Sequence, residues 1–134
     1  VPYSPGIMAD NILYVAGILA LAEDMKTTVG VGDIRVQTRH VIETIKTIVE
    51  EAGGSLGDIT FNSIFIRRLE DYAGMNEVYR EYFNEVPPAR YCIRADLVPP
   101  DRASVAVGTQ AQPAASSRAT AAARAARPVR PSLA

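Results

Sequence analysis

The sequence predicts an α+β fold: a mixed β-sheet with two helices packed on one face. Three observations carry this. Segments alternate as strands, helix, strand, helix, strand; one long segment repeats apolar residues at helical spacing; and the strand segments hold apolar groups on both faces. With 134 residues, 48% of them hydrophobic, the chain suits a single core of ordinary size.

The elements follow in order. Residues 12 to 22, ILYVAGILALA, form an apolar run, and Asp10-Asn11 joins it by a tight turn to the shorter Gly6-Ile7-Met8 stretch, which reads as a hairpin. Asp33 is placed to cap a helix in which Val41, Ile42, Ile45, Ile48, Val49 and Ala52 recur on one side before Gly53-Gly54 ends the pattern. Ile59 to Arg67, ITFNSIFIR, is rich in β-branched and aromatic residues and reads as a strand. A second helix sets Tyr72, Met75, Val78, Tyr79 and Tyr82 against Glu77, Arg80 and Glu81, and Pro87-Pro88 stops it. Tyr91 to Leu97 is the next strand. Two helices cover only one side of such a sheet, so a second copy of the chain is expected on the other, which makes the protein a homo-oligomer.

The domain is expected over residues 1–101, its last strand reaching about residue 109 through Ala103-Ser104-Val105-Ala106-Val107. Residues 110–134 read as a low-complexity Ala/Arg/Pro tail without stable order, although RATAAARAAR has high helix propensity. The change at Arg102, where acids vanish and Ala, Arg and Pro take over, is the composition a shifted reading frame in GC-rich coding sequence produces.

Composition excludes several function classes. Cys92 is the only cysteine and His40 the only histidine, so an internal disulfide and a Cys/His zinc site are both excluded; no metal and no cofactor is expected. No apolar run approaches the length of a membrane span, and no signal peptide is seen at the start, so a cytoplasmic protein without membrane contact is expected. All fifteen acidic residues lie at or before Asp101, and five of the fourteen Lys and Arg follow it. An acidic body repels phosphate backbones, and the basic tail lacks aromatics for base stacking, which argues against nucleic acid as a partner.

The stretch PPARYCI, residues 87 to 93, puts a guanidinium at the mouth of a buried strand. From the residues alone, Arg90 is either a rim side chain whose head reaches water or a grip for an anion. His40, on a helix beside Arg39, reads as a surface or packing residue and not as a general base.

The phrases PYSPG at 2–6, ADNILYVAG at 9–17, VQTRHVIETIKTIVEEAGGSLGDITFNSIFI at 36–66, YAGMNEVYREYF at 72–83 and PPARYCI at 87–93 resemble the YjgF/Rid family of reactive-intermediate deaminases, in its aminoacrylate-handling branch. The resemblance covers about residues 2–101. It implies a fold similar to a small trimeric chorismate mutase, a homotrimer, and ligand clefts between neighbouring subunits. It also implies hydrolysis of enamines or imines, here 3-aminoacrylate to malonic semialdehyde and ammonia, with small carboxylates such as 2-oxo acids as ligands.

On this resemblance Arg90 is the catalytic clamp on the substrate carboxylate, a planar fork able to bond both oxygens. Cys92, Asn76 and Tyr3 match pocket positions, although Cys92 also suits a small buried hydrophobe, Asn76 a solvated helix residue and Tyr3 a packed loop aromatic. Ala16 stands where the family commonly has a serine. Val105, or Ala106 with one inserted residue, stands where deaminase members have a water-activating glutamate. That departure opens a second reading, a trimer that binds small carboxylates without turning them over. A third is an RNA-cleaving translation inhibitor, which the acidic body disfavours.

Overall fold

The structure is a computed structural model that describes residues 2–98 and 102–113, and the backbone of 127–129. It contains β1 (Gly6–Ala9), β2 (Ile12–Leu19), α1 (Ile34–Glu51), β3 (Ile59–Ile66), α2 (Tyr72–Tyr82), β4 (Ala89–Arg94), β5 (Val105–Ala111) and β6 (Arg127–Val129). The sheet order is β4-β3-β5-β2-β1-β6, with β3 and β4 parallel and every other neighbouring pair antiparallel. A parallel pair needs a crossover connection, and α2 supplies it between β3 and β4. This is the mixed α+β sheet that the order of segments predicts.

The hairpin turns at Asp10, whose φ of 53° is a conformation that Asp and Asn tolerate better than other side chains. Asp33 caps α1: its Oδ1 accepts from the backbone N–H of Arg35 and of Val36, both at 3.1 Å. At the other end Gly53 takes φ 89°, open to glycine at no steric cost, and the chain leaves the helix there. Val41, Ile42, Ile45, Ile48 and Val49 all bury, packing α1 over β2 and β5 and beside α2. On the outer surface Arg35 pairs with Glu77 at 2.8 Å and Arg39 with Glu81 at 2.7 Å, joining the two helices through exposed ion pairs of small energetic weight.

Core residues from the strands meet this helix layer: Leu13, Val15 and Ile18 of β2, Ile64 and Ile66 of β3, Val105, Val107 and Ala111 of β5. Val15 and Ile18 are three residues apart yet both buried, because β2 carries a bulge between them that shifts its register against β5. Ala16 and Gly17 form that bulge.

Several strand limits differ from expectation. β4 spans Ala89–Arg94, two residues earlier at its start than Tyr91 and three short of Leu97 at its end. Among the described residues its partner is β3, paired from Phe61↔Ala89 to Ile66↔Arg94; one more bond, from the Ala95 N–H to the Ile66 carbonyl at 3.0 Å, follows, and beyond it the Arg67 N–H turns to the Ser104 carbonyl and the described pairing of β4 stops. The apolar run from Ile12 likewise leaves the sheet after Leu19, continuing as an isolated bridge between Leu21 and Thr28 around a turn held by Asp24.

β5 runs to Ala111 and sits between β3 and β2, so the segment following Arg102 fills a central place in the sheet. β6 falls within the region of tail composition and pairs with β1. The RATAAARAAR stretch lies outside the described residues apart from Arg127.

The sheet face turned away from the helices carries Ile12, Tyr14, Tyr91 and Ile93, all exposed, with Tyr91 in edge contact with Phe61 and Phe65 at 5.7 and 6.0 Å between ring centres. Among the described residues, no helix is long and apolar enough to cross a membrane. Removing the α1 cap with Asp33→Ala is expected to lower unfolding stability by about 1 kcal/mol, read as a reduced urea midpoint with an unchanged slope.

Candidate functional site

The site is assembled where the edge strand β4 passes under α2. Residues alternate along a strand, so Ala89, Tyr91 and Ile93 face away from the helices while Arg90 and Cys92 face them. The helix contributes Tyr72, Asn76 and Tyr79, spaced by four and three residues and therefore aligned on one side of it.

Arg90 lies against the Tyr79 ring, with its guanidinium carbon 4.7 Å from the ring centre, and 6.0 Å from that of Tyr72. Its Nη2 donates to Asn76 Oδ1 at 2.8 Å and, more loosely, to the Tyr72 hydroxyl at 3.3 Å. Its Nη1 is enclosed and has no hydrogen-bond acceptor. Among the described residues no carboxylate pairs with Arg90, whereas Arg35, Arg39 and Arg68 each have one. A half-buried cation served only by neutral oxygens lacks the counter-charge its desolvation calls for.

Tyr79 is itself held from below. Asn62 Nδ2 donates to the Tyr79 hydroxyl at 2.9 Å, and the Thr109 hydroxyl donates to Asn62 Oδ1 at 2.7 Å. Asn62, Thr109 and Tyr79 are 1%, 4% and 6% exposed, so β5, β3 and α2 are joined by a buried polar chain that ends beneath the guanidinium. Burial pushes the Tyr79 phenol up, against the pull of Asn62 and of Arg90, which keeps it neutral under Arg90.

Burial also raises the Cys92 thiol, with Arg90 opposing weakly, so its sulfur is a thiol at neutral pH and fits the small-hydrophobe reading. His40 Nε2 lies 2.8 Å from the Leu21 carbonyl, which it serves as a donor to pin the loop after β2 to α1. That is a packing role.

The chain thus brings Arg90, Asn76 and Cys92 together and leaves Ala16 and Tyr3 elsewhere. Ala16 sits in the β2 bulge, its N–H donating to the Pro5 carbonyl at 2.9 Å, and Tyr3 is an exposed residue before β1. Two strands, β3 and β5, separate β2 from β4, a span of roughly 14 Å at ordinary strand spacing. Val105 is fully buried opposite Ile66, and Ala106 lies opposite Phe65. Sequence reading had no signal for Tyr79, Asn62 or Thr109 beyond membership of an apolar face or a strand, because their roles come from contacts across 17 and 47 residues of chain. No group of His, Cys, Asp and Glu among the described residues is arranged to hold a metal ion.

A parallel β3–α2–β4 unit, with an arginine under the helix that has no carboxylate partner among the described residues, marks a small α+β domain. The sequence profile of the endoribonuclease L-PSP family matches residues 1–112, and the chain belongs to that family, the YjgF/Rid family its motifs resemble. A relative from Acinetobacter baylyi, 3-aminoacrylate deaminase RutC, is 58% identical over 100 residues that make up 75% of this chain and 79% of that protein. Among solved structures, a protein of the conserved Rid family from Yersinia pestis is similar at a TM-score of 0.77 and 30% identity, covering 83% of this chain and 87% of its own. RidA from an Antarctic Psychrobacter is similar at a TM-score of 0.75 and 30% identity, covering 84% and 89%.

Replacing Asn62 by Leu would strand the Thr109 and Tyr79 hydroxyls in the core, and a loss of about 2–4 kcal/mol is expected in urea unfolding. Iodoacetamide should alkylate Cys92 more slowly at pH 7 than it alkylates a free cysteine peptide, with the rate climbing as pH rises through the elevated thiol range.

Proposed function

We propose that the protein is an enamine/imine deaminase that hydrolyses 3-aminoacrylate to malonic semialdehyde and ammonia, holding the substrate carboxylate at Arg90. The observation that carries the reading is the guanidinium itself: half-buried, fixed on Tyr79 and Asn76, and without a carboxylate partner among the described residues. A small acid arriving from outside supplies the missing charge. The 58% identity to a 3-aminoacrylate deaminase supports the choice of substrate.

The chemistry asks little of the protein. An enamine protonated on carbon becomes an iminium ion; water adds to its C=N carbon, and the C–N bond then breaks to release ammonia. Gripping the acid group fixes the reacting carbon relative to the incoming water. Tyr3 and Ala16, far from Arg90 within one chain, join the site in this reading from a neighbouring subunit of a homotrimer whose apolar sheet faces pack inward. The exposed Tyr14, Tyr91 and Ile93 favour such burial.

A second reading rests on Val105. On the family's pattern Val105, or Ala106 with one inserted residue, stands at the glutamate position; both are buried and neither can move a proton. A positioned carboxylate contributes about 100- to 10,000-fold to such a step, so its loss favours a trimer that binds small carboxylates without turnover.

Ammonia release from freshly generated 3-aminoacrylate separates the two. The deaminase reading expects release above the buffer blank and a fall of about a hundredfold or more in kcat/KM for Arg90→Ala, only partly restored by Arg90→Lys. Equal rates for the parent and Arg90→Ala reject it. Tight 2-oxo acid binding with no rate above the blank selects the binding protein.

A further inference from the structure

Resting on the reading of Arg90 as the carboxylate grip, we propose that Tyr72 is a second substrate-binding group, its phenol donating a hydrogen bond to the same carboxylate. The argument starts from the hydrogens of the guanidinium. Nη2 carries two, and both have acceptors, Asn76 Oδ1 at 2.8 Å and the Tyr72 hydroxyl at 3.3 Å. A carboxylate can meet an arginine fork end-on, through Nη1 and Nη2, or side-on, through Nε and Nη2. Each mode uses Nη2, so a two-point grip requires one of the present acceptors to give way.

Tyr72 is the one that yields. Its bond lies beyond the usual range for an N–H donor to oxygen, while the bond to Asn76 is short. Tyr72 is 44% exposed at the edge of the site, so an incoming ligand reaches it first. A carboxylate oxygen bears formal charge and is the stronger acceptor for a guanidinium N–H than a neutral phenol oxygen.

Displacement does not remove Tyr72 from the site. The Asn76 oxygen can only accept, but a phenol also has a hydrogen of its own to give. Once a carboxylate oxygen takes its place on Nη2, the nearest strong acceptor to the phenol is that same carboxylate. Tyr72 therefore changes from acceptor to donor as the ligand arrives. Nη1 is enclosed and closed to an incoming ligand, which leaves the side-on pair, through Nε and Nη2, as the grip. The acid group then receives three hydrogen bonds, from Nε, Nη2 and the Tyr72 hydroxyl. A neutral amide presents one acceptor oxygen and no charge, so the site discriminates in favour of acids.

The test is calorimetric titration of the full chain with 2-oxobutyrate, for the parent, Tyr72→Phe and Arg90→Ala, with 2-oxobutyramide as the uncharged control. Phenylalanine keeps the ring beside Arg90 and removes only the hydroxyl. Tyr72→Phe is expected to raise the Kd for 2-oxobutyrate about tenfold, with the Tm unchanged and the weak binding of the amide unaffected. An unchanged Kd in Tyr72→Phe, while Arg90→Ala loses binding, overturns the role of Tyr72 and leaves that of Arg90 standing. Equal weakening for acid and amide also overturns it. Undiminished binding in Arg90→Ala, or no binding by the parent, sinks both.

Discussion

The contact between the Arg90 guanidinium and the Tyr79 ring organises the site, because a half-buried cation needs a surface to lie on and a reason not to turn outward. The ring gives the surface, and Asn76 gives the reason, holding Nη2 at 2.8 Å. Tyr79 in turn keeps its place because Asn62 ties its hydroxyl to the sheet. Helix and sheet are therefore fastened together by polar bonds inside a mostly apolar core, at the point where the charge sits. Such a buried chain is costly if any link is missing and rigid when all are made, which suits a group that must wait for its ligand in one orientation.

Local chemistry made the elements legible. Asp33 as cap, Gly53 as helix end, Asp10-Asn11 as turn and the spacing from Val41 to Ala52 all rest on interactions between near neighbours in the chain, and all appear in the structure where the sequence places them. The limits of β4 did not follow from its residues, since a strand at the edge of a sheet ends where its partner ends. Tyr72 shows the same gap on a helix. Its spacing groups it with Met75 and Tyr79, yet its position in the first turn lifts it out of the core to the side of Arg90.

The site was half legible for a related reason. Arg90, Cys92 and Asn76 share one strand-and-helix corner, and their meeting needs only that α2 cross back over β4. Their support from Asn62 and Thr109 depends on which strands are neighbours. The sheet order puts β5 beside β3, with β2 beyond it, and nothing local in residues 105 to 111 announces that arrangement. Tyr3 and Ala16 lie across the sheet, so no reading of a single chain brings them to the arginine.

β5 carries a wider consequence. Hemmed between two partners, it must supply backbone bonds to both sides and small or β-branched side chains for the interior, and Val-Ala-Val-Gly-Thr-Gln-Ala does so while carrying no acid at all. What the sheet demands of this strand and what an enzyme would demand of it are thus different properties of the same seven residues. Architecture is secured by shape and hydrogen bonding, reactivity by a single ionisable group, and evolution can alter the second while the first endures.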